Sequence, residues 1–274
     1  QYHYAHFSFA GIANVRIQQK DVVRSYLIRP LPFKIAAEAI GNYLNFTLTQ
    51  PRYLIIDINE HEKLILLADP PEEDIPVPGA PGITNILDCN VDQTGGAEST
   101  LQIQKAIDQI SQDGGGTLYF PPGIYKTRTV VVRDNVNIYL AGGSVIRGTG
   151  VKTDYPEYDP GKLKAITCVL KIENASNIKI YGRGTIDGHG VQLAGNVDNI
   201  NDAPLKIRAV STHNSSNIAV EGIIARELTS WAVPFFHSDH IKASHVKVLD
   251  YLYLKNSDGI NICASQYGRV ENCF

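Results

Sequence analysis

Short runs of alternating apolar and polar residues fill the first 68 positions of the chain. Each run is four to six residues long, as expected for a strand with one buried face. The predicted strands are Tyr4–Phe9, Ala13–Gln18, Tyr26–Arg29, Leu44–Thr49, Tyr53–Ile58 and Leu64–Leu67. Turn residues such as Gly41-Asn42 stand between them. Residues 1–68 contain no long helical pattern, so they are predicted to form an antiparallel β-sandwich domain.

The next segment, residues 69–82, has a different composition. It carries five prolines and the acidic run Glu72-Glu73-Asp74. Proline at this density prevents regular helix or sheet and favours an extended, semi-rigid connector. The sequence therefore predicts a linker over 69–82 and a second domain over 83–274.

The second domain opens with one helical pattern over Glu98–Ser111. The residues at helical spacing are Leu101, Ile103, Ala106, Ile107 and Ile110. Beyond it the sequence repeats itself, with Asn or Ser before a short apolar strand. The repeats are Asn135–Leu140, Ser176–Tyr181, Ser216–Glu221, Asp239–Ala243, Ser244–Val248 and Gly268–Val270.

The repeat predicts a solenoid. The aligned isoleucines are Ile138, Ile178, Ile218 and Ile241, at intervals of 40, 40 and 23 residues. A coil of roughly 20–25 residues explains all three intervals if loops are inserted in the first two. Asn and Ser before each strand suit sharp corners, where left-handed backbone is tolerated. The alternative is an ordinary sandwich whose strands look alike by chance.

Composition narrows the classes of function. A net charge of −3 without a long basic run argues against nucleic acid as a partner. No apolar stretch approaches the roughly 18–20 residues that cross a bilayer. The four cysteines lack CxxC spacing and no cluster has metal-ligand spacing, so we expect single thiols, no metal and no cofactor. The chain begins with Gln1, which suggests a processed or trimmed protein.

Three motifs carry a resemblance to a known family. Ile103–Tyr125 is similar to the capping helix and first coil of the pectinase superfamily. Gly182–Gly190 resembles the Gly-x-Gly-x-Ile-Asp-Gly-x-Gly of polygalacturonases, and Asn256–Ile260 resembles their Asn-Thr-Asp-Gly-Ile. Residues 85–274 thus look like the opening half of the polygalacturonase family, family 28 of the glycoside hydrolases.

The resemblance implies an all-β fold. It consists of the N-terminal antiparallel β-sandwich followed by the first coils of a right-handed parallel β-helix with one capping α-helix. The segments Tyr26–Pro30 and Pro51–Pro70 resemble the sandwich domain of dextranase- and isopullulanase-type enzymes. That domain has no assigned chemistry, so its expected role is structural.

The resemblance also implies that Asp258 is a catalytic base. In this family the Asp of Asn-x-Asp-Gly acts with an Asp-Asp pair one coil later, in an inverting hydrolysis. That pair would fall near position 279, and the chain contains no Asp-Asp dipeptide. The chain therefore looks C-terminally truncated, and we expect no hydrolase activity from these 274 residues alone. Gly259 is expected to let the backbone bend so that Asp258 faces the cleft.

Four residues near Asp258 are candidate substrate-binding residues: Asn256, Trp231, His237 and Asn261. Trp231 is either a stacking platform for sugar or a core residue. His237 follows it closely enough in sequence to line the same cleft. Asn261 stands where the family usually has Asp.

Two residues of the Gly182–Gly190 motif are less suited to catalysis. His189 precedes Asp258, whereas the family's catalytic histidine follows the acid pair. Asp187 is expected to hold a turn together by hydrogen bonds.

The sequence therefore predicts a secreted or periplasmic polysaccharide hydrolase of pectin-like chains. A dextranase-like glucan hydrolase and a non-catalytic carbohydrate-binding or structural β-helix are the alternatives. A polyuronide binder needs Arg or Lys in its cleft, and a neutral-glucan binder needs aromatic rings. We also expect the edge of the last coil to be covered by further chain, a partner or self-association.

Overall fold

A computed structural model describes residues 2–60, 63–161, 165–196, 198–251 and 253–274. The chain divides into two compact units, Gln1–Asp74 and Ile75–Phe274. The division falls inside the predicted linker, although Asp69, which the prediction gave to the linker, is the last residue of a strand. No helix in the described ranges has the length and apolarity needed to cross a bilayer.

The first unit is a two-sheet sandwich. Its strands are β1 Tyr2–Ser8, β2 Ala13–Gln18, β3 Tyr26–Arg29, β4 Ala37–Ile40, β5 Tyr43–Leu48, β6 Arg52–Ile58 and β7 Lys63–Asp69, with a 3-10 turn at Leu31–Phe33. One sheet has the order β1-β7-β6-β3 and the other β2-β5-β4. Leu44, Phe46, Leu54 and Ile56 lie buried in the core of this unit. The six predicted strands are present, and β4 was missed.

One strand pair differs from the purely antiparallel prediction. β1 and β7 are parallel, with Tyr4 opposite Ile65 and Ser8 opposite Asp69. Only strands joined by a tight turn are forced to run antiparallel, and the chain between β1 and β7 is long enough for either direction. The local pattern of apolar residues therefore did not determine this pairing.

The second unit contains eighteen described strands and two α-helices. The strands are β8 Ile83–Asn85, β9 Thr94–Glu98, β10 Gly116–Phe120, β11 Gly123–Thr127, β12 Val130–Val132, β13 Val136–Leu140, β14 Ser144–Gly148, β15 Ala165–Glu173, β16 Ser176–Gly182, β17 Thr185–Asp187, β18 Leu205–His213, β19 Ser216–Glu221, β20 Ile224–Arg226, β21 Val233–Phe236, β22 Asp239–Ser244, β23 Lys247–Leu249, β24 Ile260–Cys263 and β25 Gln266–Glu271. The helices are α1 Thr100–Gln112 and α2 Gly190–Ala194, and 3-10 turns lie at Ile86–Cys89 and Lys152–Asp154.

These strands form three parallel sheets, and most coils add one strand to each. Sheet 1 has the order β25-β22-β19-β16-β13-β10-β8, and sheet 2 has β23-β20-β17-β14-β11-β9. Sheet 3 has β12-β15-β18-β21-β24. The predicted parallel β-helix is confirmed.

The core of the β-helix is a stack of aliphatic side chains. Ile178, Ile218 and Ile241 occupy matching positions on successive coils, and each is almost fully buried. Burying one such side chain contributes roughly 1.5–3 kcal/mol. Helix α1 packs Ile103 and Ile107 against the start of this core. The predicted capping helix is thus present, shifted by one or two residues.

The register between the first two repeats differs from the prediction. Ile138 is opposite Ile180 rather than Ile178, so the first interval is 42 residues. A shift of two residues leaves the same side chains facing the core, so the apolar pattern fits both registers. The predicted insertions are confirmed: the chain leaves the coil between β14 and β15 and again between β17 and β18.

The corner before sheet 1 is built from a column of asparagines. Asn135, Asn177 and Asn217 have φ values of 59°, 58° and 54°. Their side-chain amides bond from coil to coil, Asn177 to Asn135 at 3.0 Å and Asn217 to Asn177 at 2.8 Å. His240 and Tyr267 continue the column with rings 4.8 Å apart. The left-handed corners predicted from the repeat are confirmed.

Candidate active site

The turn that carries Asp258 leads directly into β24 on sheet 3. Asn256 has a left-handed backbone with φ 58°, and the Ser257 hydroxyl donates to the Leu254 carbonyl at 3.0 Å. The Asp258 carbonyl accepts a hydrogen bond from the Ala232 amide at 2.9 Å. The turn is therefore fixed to the preceding coil while the Asp258 side chain stays exposed.

Gly259 does not have the predicted role. Its φ lies outside the left-handed region, and an added Cβ would meet Val248 Cγ2 at an ordinary 3.6 Å. The Gly259 carbonyl accepts from the Val233 amide at 2.9 Å, as any residue could. The left-handed bend of the turn is at Asn256, not at Gly259.

Asn261 contacts the candidate catalytic carboxylate. Its Nδ2 donates to Asp258 Oδ2 at 3.1 Å. Its Oδ1 is buried and has no hydrogen-bond partner in the described residues. Asn261 therefore holds Asp258 in one orientation, and its predicted contact with substrate stays a prediction.

The strand before β24 brings aromatic rings to the same face of the sheet. Trp231 is half-buried, and its ring stacks on Phe236 with centroids 6.1 Å apart and planes 22° apart. The guanidinium carbon of Arg208 lies 5.5 Å from the Trp231 ring centre and 5.2 Å from that of Phe236. Trp231 is therefore neither a simple core residue nor a free platform, because a cation lies over its ring.

Sequence reasoning missed Arg208 and Phe236. A signal was present, since Lys206 and Arg208 are basic residues that alternate with the apolar Leu205, Ile207 and Ala209 along β18. Charged residues are seldom buried without a specific partner. The partner rings come from another coil, so the sequence alone did not identify them.

His237 does not lie beside Asp258. It follows β21 with φ 48°, and its amide donates to the Cys263 carbonyl at 3.0 Å, at the far end of β24. Cys263 is five positions along the chain from Asp258, a span of about 16 Å in extended backbone. His237 lines a groove at the corner with Asn174, Asn214 and Asp239. The expectation that it lines the cleft near Asp258 is therefore wrong.

Asp187 has the structural role that the sequence predicts. It is 2% exposed, and its Oδ1 accepts from the His189 amide at 2.9 Å. Arg226 and Arg147 reach its Oδ2 at 2.9 and 3.3 Å. The carboxylate ties the end of β17 to the adjacent coils on sheet 2.

The described part of the chain groups no three His, Cys, Asp or Glu side chains as ligands for a metal. Its four cysteines are free thiols, and Cys168 is buried. Burial raises the pKa of Cys168 to about 12, so this thiol is protonated at neutral pH.

Comparison with known proteins places these features in a family. The model of "Glycosyl hydrolases family 28" matches residues 132–274, which include four of the five strands of sheet 3 and the Asp258 turn. An exo-poly-alpha-D-galacturonosidase of Dickeya chrysanthemi is 26% identical over 171 residues, covering 56% of this chain and 27% of that protein. Alginate lyase 7 of Azotobacter vinelandii is 25% identical over 150 residues, covering 54% and 17%.

Solved structures show the same fold. The family 28 exopolygalacturonase of Yersinia enterocolitica has a TM-score of 0.60 and 18% identity, over 84% of this chain and 50% of that one. This chain spans only about a quarter or less of the curated relatives that it matches. The family match covers more than half of the chain and contains the Asp258 turn, so the chain belongs to family 28 of the glycosyl hydrolases.

Proposed function

We propose that this chain carries the catalytic base of an inverting hydrolase of pectin-like polysaccharides and that Asp258, as this base, activates the attacking water. The observation that carries the proposal is the Asp258 carboxylate itself. It is exposed on sheet 3, held by a turn bonded to the previous coil, and oriented by Asn261. The name of the galacturonosidase relative supports polygalacturonate as the substrate class.

The chemistry requires a second carboxyl group. An inverting site holds its acid and its base about 6.5–9.5 Å apart, so that a water fits beside the sugar. Strands of successive coils are about 4.8 Å apart, so residues one or two coils away can supply the acid. These 274 residues contain no adjacent pair of aspartates. That this chain alone does not hydrolyse polygalacturonate stays a prediction.

The test compares Asp258 with a carboxylate outside the cleft. In a hydrolytically active protein that contains this chain, Asp258→Asn should lower kcat on oligogalacturonate by about 10²–10⁴ with little change in KM. Asp113→Asn is the control, because Asp113 is exposed at the end of α1 and its carboxylate accepts a hydrogen bond from the Gln109 side chain there. Hydrolysis by the Asp258 variant at the wild-type rate would show that another group activates the water.

The 274-residue chain gives a second comparison. With oligogalacturonate it should release no reducing ends but should still bind the sugar. Hydrolysis by this chain would place the acid among its own residues. Binding of dextran oligomers in preference to galacturonate would support the neutral-glucan alternative and contradict the proposal.

The proposal includes action outside the cytoplasm, because a long polysaccharide does not cross a membrane to reach its enzyme. Fractionation of the source cells should find the protein in the medium or the periplasm. Its recovery from the cytoplasm would contradict this part of the proposal.

A further inference from the structure

Arg208 is a buried cation on the outer face of sheet 3. It is 9% exposed, and it donates from Nη1 to the Ser211 hydroxyl at 3.3 Å. Its Nε is buried and has no hydrogen-bond partner in the described ranges. Among the described residues it forms no ion pair. Burying a charge without an opposite charge is costly, so a side chain in this state is suited to an anionic ligand.

The aromatic rings beside Arg208 hold the guanidinium but do not satisfy it. Trp231 and Phe236 place their ring centres 5.5 and 5.2 Å from its central carbon. Cation–π contact recovers part of the lost hydration energy. A ring supplies no acceptor for the N–H donors, of which a guanidinium has five. The contact therefore fixes the position of the cation and leaves its hydrogen bonds incomplete.

The neighbouring charges do not compensate for Arg208. Lys171 on the adjacent strand is neutralised by Glu173, at 2.8 Å. His213 lies within 3.1 Å of the Ser211 hydroxyl, and burial and then the charge of Arg208 lower its pKa. His213 is therefore neutral at pH 7. Neither Lys171, paired with Glu173, nor the neutral His213 supplies a negative charge for Arg208, and Lys206 on the same strand is a second buried basic residue.

Arg208 is close to the catalytic turn. β18 pairs with β21, and β21 pairs with β24, which follows Asp258. Two steps of about 4.8 Å place the Arg208 strand about 10 Å from that of Asp258. An oligosaccharide bound along sheet 3 therefore reaches both residues.

We propose that Arg208 binds the carboxylate of a uronate sugar two strands away from Asp258, with Trp231 and Phe236 holding the guanidinium in place. The proposal rests on the proposed function for its sugar, and it adds the residue that distinguishes a charged chain from a neutral one. Arg meets a carboxylate through paired N–H donors, which favours it over Lys for this purpose. A neutral glucan leaves the same guanidinium without its anion, and the site therefore discriminates against it.

The experiment compares a charged ligand with its uncharged ester. Trigalacturonate and its methyl ester are titrated calorimetrically into the 274-residue chain. We expect the acid to bind about 10-fold or more tightly than the ester, and the difference to shrink as salt is added. The emission of Trp231, the single tryptophan, should change on binding and so locate the ligand at this face. Equal affinity for acid and ester would overturn the proposal without any variant being made.

Two variants then assign the preference to Arg208. Arg208→Gln should lose the preference for the acid while keeping the affinity for the ester, and Arg208→Lys should retain part of the preference. Arg133→Gln is the matched control, since Arg133 pairs with Asp108 on α1 and is half-exposed. A folded Arg208→Gln chain that keeps the wild-type preference would show that Arg208 is only a structural cation held by the rings.

The outcomes separate this proposal from the proposed function. A charge-dependent affinity with no loss of hydrolysis in Asp258→Asn keeps the Arg208 subsite and refutes the catalytic assignment. Equal binding of acid and ester, with hydrolysis dependent on Asp258, refutes the subsite alone. Binding of neither ligand refutes the subsite and the substrate class together.

Discussion

The side-chain amide of Asn261 donates a hydrogen bond to the carboxylate of Asp258 over 3.1 Å. Both residues belong to one short segment, so the contact is local and is fixed as soon as β24 forms. An amide donor at this position orients the carboxylate towards the water that it is proposed to activate. The sequence resemblance implies Asp at this position, so the Asn261 amide departs from that expectation.

Removal of this donor should slow the reaction without weakening binding. In an active protein containing this chain, Asn261→Leu should lower kcat about 10-fold, the effect of losing one hydrogen bond to a charged group at a partly exposed site. KM should stay nearly constant, since the bond is internal to the protein. Steady-state kinetics on oligogalacturonate measure both. A rise in KM at constant kcat would instead show that Asn261 contacts the sugar.

The carboxyl group of Asp250 should make the β-helix unit less stable as the pH rises. Burial, and then the charges of Glu227 and Asp187, raise the pKa of Asp250 from 3.8 to about 7. Between about pH 4 and pH 7 the folded protein keeps a proton that the unfolded chain releases, so the free energy of unfolding falls across this range and levels off above it. The loss amounts to a few kcal/mol at most.

Urea unfolding at a series of pH values checks this dependence. Asp250→Asn is the matched variant, because its side-chain oxygen can still accept from the Leu228 amide, as Asp250 Oδ1 does at 2.8 Å. The variant should lack the decrease between pH 4 and pH 7 and should be the more stable form at pH 8. Parallel pH curves for the two proteins would contradict the assignment.

In the asparagine column at the corner of sheet 1, substitution of Asn177 by Gly should cost less stability than substitution by Ala. Asn177 has φ 58° and bonds to asparagines on both neighbouring coils. Asn177→Gly removes the hydrogen bonds but accepts the backbone, whereas Asn177→Ala also adds about 1 kcal/mol of left-handed strain. Denaturant unfolding should therefore rank wild type above Gly and Gly above Ala. Equal stability of the two variants would show that the backbone at residue 177 leaves the left-handed conformation when Ala is introduced.

Gly259 and Gly182 lie in or at the start of the recognised motifs, and they should differ sharply in how well they tolerate substitution by alanine. In Gly259→Ala the new Cβ makes only an ordinary van der Waals contact with Val248. The substitution should therefore change the free energy of unfolding by less than about 1 kcal/mol. Gly182 has φ 115°, and a methyl group there would overlap the Leu140 carbonyl, so Gly182→Ala should be strongly destabilising. Thermal unfolding of both variants measures the contrast. A destabilised Gly259→Ala would restore the role that the sequence predicted.

The elements that the sequence predicts well are those decided by local patterns. Helix α1 follows from isoleucines at helical spacing, and the corners follow from Asn before each strand. The predicted alignment of Ile138 with Ile178 is wrong, because a two-residue shift in strand register leaves the same side chains buried. Which of the two registers forms depends on contacts between coils, including the Asn135–Asn177 bond, that the pattern does not contain.

The candidate site was predicted only in part for a similar reason. Asp258 and Asn261 are three residues apart in the chain, so the sequence analysis named both as candidates. Arg208 comes from β18, and its position over Trp231 depends on how coils stack. His237 was assigned to the cleft from its sequence distance, but the strand carries it to the opposite end of β24. Proximity along the chain is a poor guide where a coil runs through three sheets.

The configuration of the first sugar released shows directly whether Asp258 supports an inverting hydrolysis. Proton NMR of oligogalacturonate mixed with an active protein containing this chain reports the newly formed anomer before it equilibrates in water. We expect α-linked galacturonate to yield the β anomer first, because a water activated by Asp258 attacks from the face opposite the leaving oxygen. Initial release of the α anomer, or of an unsaturated product, would contradict an inverting hydrolysis at Asp258.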